Sequence, residues 1–336
     1  MRFIQRVVGL VTVTIAAFVP VPAVTASVSS AQSADPGASG CIRVAATIPV
    51  GSAPTGVAAD AKTNMVYVAN QNFSSNDVSV INGRTDSVVA TVPVGNNPQF
   101  DAVDSRTDRI YVTNGSSSDV SVINGRTNTV VATIPVGSGP IGVAVNPKAN
   151  TIYVANNSDN TVSVINGRTN TMAATINVGH FPYGVAVNPR TNTIYVTNSG
   201  DNTVSVINGH TNTVTATIPV SSGPNPITTN PRTNTVYVGA LSTVSVISGR
   251  TNTVTATVRL RSFANGLAAD PRTNSVYIAK TNGTVSVLNG RTNTVVARVH
   301  VSSYNAGIAV IPRTRHVYVA NESADTLSVL VLCKSK

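Results

Sequence analysis

Residue types that carry chemistry are scarce in this chain, and their spacing scatters them. Four histidines, His180, His210, His300 and His316, offer no pair at metal-ligand spacing, which argues against a zinc or copper centre. His210 stands in "NGHTN" where parallel stretches read "NGRTN", the mark of a solvated turn. No glycine-rich phosphate loop, CxxCH haem attachment or nucleophile elbow is present, so neither a cofactor nor a metal is expected. The only two cysteines, Cys41 and Cys333, lack the adjacent histidines or acids that would make them ligands or nucleophiles. The remaining candidate for acid–base work is Asp101, with His180 as its potential companion.

The elements that position these groups are set by a repeat. "VSV" begins at Val78, Val120, Val162, Val204, Val244 and Val285, and "LSV" at Leu327, at intervals of 40 to 42 residues. A tyrosine in "YVAN" or a variant recurs seven times, from Tyr67 to Tyr318, and so does a "GVAVNP"-type stretch. One unit reads GVAVNP, TNTIYVAN, NTVSVINGRTN, TVVATIPVG. These are four short apolar runs rich in Val and Thr, separated by Asn-Pro and Asn-Gly turn chemistry, and they predict four strands. The third turn is expected to be a tight Asn-Gly hairpin. With only 11% charged residues against 42% hydrophobic, the chain reads as all-β. Seven four-stranded antiparallel units predict a seven-bladed β-propeller. A β-solenoid is the rival, but its repeats are usually shorter and its strands parallel.

"YVTN" at Tyr111–Asn114 and Tyr195–Asn198, followed by "NGRTNTVVATIPVG"-type stretches, resembles the YVTN-family β-propeller repeat of secreted and surface proteins of bacteria and archaea. The resemblance covers about residues 43 to 332. It implies the propeller fold and leaves function open, since such propellers serve as surface modules, binding proteins and, in distant relatives, enzymes.

The ordered part opens with "CIRVAATIPVG", a fourth strand without its first three, and closes with "LSVLVLC", a third strand without its fourth. Residues 43–50 are therefore expected to complete the last blade as its outer strand. Alignment then puts Cys41 and Cys333 at neighbouring positions of the missing turn, which predicts a disulfide there. A lipoprotein attachment at Cys41 fits poorly. "MRFIQRVVGLVTVTIAAFVPVPAVTAS" reads as a secretory signal over residues 1–26, its apolar run being short for a spanning helix. Residues 27–40 read as a disordered leader, and residues 41–336 as one propeller. The expected protein is a monomer outside the cell, free or attached to the envelope, with no membrane span.

Antiparallel connectivity places the first and third turns of every unit on one face, and the second turns and inter-blade links on the other. The first face collects Arg84, Arg126, Arg168, Arg190, Arg232, Arg250, Arg272, Arg291 and Arg313, and with them much of the formal charge of +10. Such a ring attracts polyanions, nucleic acid or anionic glycans, although the turn motif itself also supplies these arginines. The opposite face carries Asp77, Asp119, Asp159, Asp201, Glu322 and Asp325, together with every aromatic of the mature chain outside the repeated tyrosine slot: Phe73, Phe100, Phe181, Tyr183, Phe263 and Tyr304. The residue before the "GVAV" glycine differs in each unit (Thr55, Gln99, Ile141, Tyr183, Asn225, Asn265, Ala306) and is expected to ring the mouth of the central channel. Gln99, Phe100, Asp101, His180, Phe181, Tyr183, Asn225, Phe263, Asn265 and Tyr304 are thus the ligand-binding candidates. Aromatic platforms with interleaved amides suit a small molecule, glycan or peptide, and equally a plug for the channel. The main expectation is a non-catalytic binding or surface-interaction module. The alternatives are a lactonase- or lyase-like propeller enzyme working at the channel mouth, and polyanion binding through the basic face.

Overall fold

A computed structural model describes residues 41–71 and 76–333. The signal and leader expected over residues 1–40, and Phe73, lie outside the described residues. The described chain forms seven four-stranded antiparallel sheets in a ring, a seven-bladed β-propeller. Blades 1 to 6 run over residues 54–93, 98–135, 140–177, 182–219, 227–259 and 264–300. Blade 7 takes residues 305–332 and is completed on its outside by Ile42–Pro49. In blade 3 the strands are Pro140–Asn146, Thr151–Asn156, Thr161–Asn166 and Thr171–Asn177, and the other blades repeat this plan from channel to rim. Among the described residues no helix is long and apolar enough to cross a membrane.

Each blade is apolar on both faces because it is sandwiched between two others. The second and third strands are accordingly almost wholly buried. Apolar clusters form between blades, one per interface, as where Tyr153 and Val164 of blade 3 meet Ile194 and Ile207 of blade 4. The seven repeated tyrosines are fully buried there. The hydroxyls of Tyr67, Tyr195, Tyr237 and Tyr318 reach the third-turn glycine of the following blade: a Cβ on Gly290 would stand 2.6 Å from the Tyr237 hydroxyl.

This contact explains the glycine of "NGRTN", whose role differs from the sequence expectation. The third turn is a four-residue loop, Gly125 to Asn128 in blade 2, rather than a two-residue Asn-Gly hairpin. Its left-handed position is the final Asn, with φ 54° at Asn128, and Asn tolerates that region. The loop begins where Asn124 Oδ1 accepts the Arg126 N–H at 3.0 Å. Glycine is needed for close approach, and asparagine for the positive φ.

Closure follows the expected register. Ile42 pairs with Leu332 and Pro49 with Thr326, and Cys41 and Cys333 are disulfide-bonded with Cα atoms 5.1 Å apart. The outer strand of every blade carries a bulge at an equivalent place, at Val89, Val131, Ala173, Thr215, Thr255 and Val296. The amino-terminal strand has its own at Ala45. A bulge twists the free edge away from further pairing, so all seven edges are protected alike.

Candidate functional site

The first strands of the blades line the channel, and two successive slots on each decide its shape. The first slot holds Gly56, Phe100, Gly142, Gly184, Pro226, Gly266 and Gly307. Adjacent inner strands come so close that a Cβ on Gly266 would stand 2.6 Å from the Ala306 carbonyl oxygen. The next slot presents Val57, Val143, Val185, Ile227, Leu267 and Ile308, and in blade 2 Asp101. The result is an aliphatic tube interrupted by one carboxyl, with a cavity of about 150 Å³. Phe100 projects into it where the other blades have glycine or proline, and its ring meets Tyr183 edge to face with centroids 6.0 Å apart.

Asp101 is 8% exposed. Its Oδ2 accepts the Ala58 N–H of blade 1 at 3.2 Å, and its buried Oδ1 has no hydrogen-bond partner among the described residues. Burial in apolar surroundings disfavours the charged form and pushes the carboxyl up to about 8, against the smaller opposing effect of the backbone N–H bonds.

Above the tube lies a wider mouth of about 240 Å³, lined by Thr55, Gln71, Gln99, Phe100, Tyr183, Asn265, Tyr304, Ala306, Gly307 and Glu322. Asn265 Nδ2 donates to the Asn305 carbonyl at 3.1 Å and to the Tyr304 hydroxyl at 3.4 Å, fixing one wall. The acids here share one environment. Burial raises Tyr183, Tyr304 and Glu322 alike, and the Glu322 charge pushes both tyrosines further in the same direction.

Of the ten ligand-binding candidates, Gln99, Phe100, Asp101, Tyr183, Asn265 and Tyr304 converge on the channel and its mouth. The other four do not line either cavity. Asn225 occupies the same slot as Gln99, and both carbonyls accept an inter-blade hydroxyl, from Thr197 at 2.8 Å and from Thr55 at 2.9 Å, but Asn225 lines neither cavity. His180 sits in a link, paired through Nδ1 with Asp201 at 2.8 Å and largely exposed; its backbone N–H, and then its ring, hold the Asp201 carboxyl below the usual range. Phe181 and Phe263 precede the first strands of blades 4 and 6, in the slot that Tyr304 fills before blade 7. Phe181 adopts φ 51°, is 55% exposed and packs over Gly200, whereas Tyr304 is not left-handed and leans over the mouth. Backbone conformation, which the residue type does not reveal, separates the two. Gln71 and Glu322, at the start of second turns, escaped notice as mouth residues. Their signal is position: they open the second turns of blades 1 and 7, neighbours in the ring.

The acids of the second-turn face serve mainly as ties. Asp159 and Asp325 accept link N–H groups from Ser138 and Ala53, and Asp77 and Asp119 accept from Asn70 and Asn114. All nine arginines of the opposite face are exposed. Among the described residues no three His, Cys, Asp or Glu side chains gather in a metal-holding group.

No family model matches the sequence, and no curated protein matches it. Among solved structures the fold is similar to Kuenenia stuttgartiensis hydrazine synthase, with a TM-score of 0.73 and 20% identity over 82% of this chain and 95% of that one. At that identity the likeness shows the fold alone.

Proposed function

We propose that the protein is a secreted binding module of the YVTN-repeat type whose ligand sits at the channel mouth on the second-turn face. One observation carries the reading. The repeat writes seven near-identical blades, and seven of the side chains that depart from it share one opening: Gln99, Phe100, Asp101, Tyr183, Asn265, Tyr304 and Glu322 stand together although they come from four blades and a link. Repetition supplies the scaffold, so residues that break it answer to something other than the fold. Aromatic walls with amide donors and acceptors around a concave opening match the general form of a small-ligand site. The disulfide fits an oxidising compartment. Arrays of glycans, peptides and small amphiphiles probed with the wild type and with Tyr183→Ala and Tyr304→Ala test it. Binding lost in both variants supports the mouth; undiminished binding places the site elsewhere.

A second reading, an enzyme using Asp101 as general acid or base, draws on the carboxyl's shift to about 8 inside a cavity. Ester and lactone turnover that disappears in Asp101→Asn would favour it over pure binding.

A further inference from the structure

The channel and its mouth hold two carboxyls, Asp101 and Glu322, and three aromatic rings, with no Lys, Arg or His among the lining residues. The ion pair found among the described residues is His180–Asp201, so neither mouth carboxyl has a cationic partner. Asp101 is the sharper case, with one oxygen unpartnered and its neighbours aliphatic. A buried, unpaired carboxyl is costly unless something of opposite charge or a donor comes to it. An anion would meet only repulsion here. A neutral sugar could use Gln99 and Asn265 and offer Asp101 a hydroxyl, but its other hydroxyls would be desolvated against the aliphatic tube around that carboxyl. A cation is favoured by Glu322 and by the negative faces of Phe100, Tyr183 and Tyr304, and its charge would stabilise the ionised form of Asp101 that burial alone opposes.

Resting on the reading of the mouth as a ligand site, we propose that it takes a small organic ammonium cation, an amine or quaternary ammonium group on a short apolar body. The head enters past Tyr183 and Phe100 toward Asp101, and Glu322 faces the remainder at the opening. The size fits: the inner cavity of about 150 Å³ matches an apolar protein cavity that takes a benzene-sized guest, roughly 150 Å³. A trimethylammonium head falls in that class, whereas a folded peptide does not.

The test is a calorimetric titration of the disulfide-intact protein with choline and with its uncharged isostere 3,3-dimethylbutan-1-ol, at fixed ionic strength and at a pH above the value of about 8 at which Asp101 gives up its proton. Asp101→Val, which installs the residue of blades 1, 3 and 4, and the isosteric Asp101→Asn are titrated alongside, with thermal unfolding reporting that each is folded. The expected result is choline binding at least tenfold tighter than the alcohol, with that preference lost in either folded variant. Equal binding of the two probes, or a choline affinity unchanged by both substitutions, overturns the cation assignment. If the alcohol binds equally well and Tyr183→Ala abolishes it, the mouth survives as a site and only its charge preference falls. If neither probe binds and the arrays show no Tyr183-dependent signal, both readings fall.

Discussion

Asp101 titrates in a direction opposite to that of a paired surface carboxylate, and this has a consequence for stability. An unfolded chain gives an aspartate its ordinary value of ~3.9, whereas the folded channel holds it near 8. Between those two values the native state binds the proton and the unfolded state does not, so the unfolding free energy falls as pH rises. The contribution is fully present below pH ~4 and is lost as pH climbs through about 8, a change on the order of a few kcal/mol. Asp101→Val should therefore stabilise the protein increasingly between pH 5 and 8, measured as the difference between variant and wild-type denaturation curves. A flat difference would contradict the assigned burial. Phe181 offers a second test. A bulky residue at φ 51° is strained, and Gly139 and Gly223 hold equivalent link positions at φ 61° and 67°. Phe181→Gly should raise stability by about 1 kcal/mol, read as a rise of a few degrees in Tm.

Within a blade, one polar knot recurs where the second strand turns into the third. Asn156 Nδ2 donates to Ser163 Oγ and Thr161 Oγ1, both at 2.9 Å, and Asn70, Asn114, Asn198 and Asn321 make the equivalent pair of bonds in their blades. Blade 6 has Lys280 in that slot, and there Ser286 Oγ is left without a partner. Asn156→Ala should remove both bonds, leave Ser163 Oγ only the Gly137 N–H at 3.4 Å, and cost about 1–3 kcal/mol in chemical denaturation. These elements were legible in the sequence because the repeat displays each strand seven times, so chance patterns average away. The third turn was misjudged because Asn-Gly looks the same whether glycine supplies a positive φ or only room for a tyrosine hydroxyl from the next blade. The mouth was legible in part. Gln99, Tyr183 and Asn265 sit in one strand slot that topology aims at the channel. Links, by contrast, run from rim to centre, and residue type alone does not say whether His180, Phe181 or Phe263 faces inward. Glu322 joins the mouth only through the way blade 7 meets blade 1.

For the whole molecule, the ring exists only if its ends meet. Blade 7 is built from both termini, and the bond between Cys41 and Cys333 closes a loop of sequence separation 292. Chain entropy for so long a loop gives an upper figure of roughly 6 kcal/mol. Cys333→Ser, or reduction, should lower Tm and release Ile42–Pro49 first, since this strand is held by one neighbouring strand and the disulfide. Hydrogen exchange would show early loss of protection at residues 42–49 while blades 2 to 4 stay protected. Uniform loss across all seven blades would instead mean that closure and the ring melt as one unit.

The most direct measurement of the central claim uses the repeat as its own control. Replacing Gln99, Phe100 and Asp101 by Ile, Gly and Val gives blade 2 the mouth residues of blade 3, a sequence this scaffold already accommodates. The expected variant is an intact, at least equally stable propeller that no longer retains the ligand bound by the wild type on the array. A folded variant that binds as well as the wild type would contradict that claim.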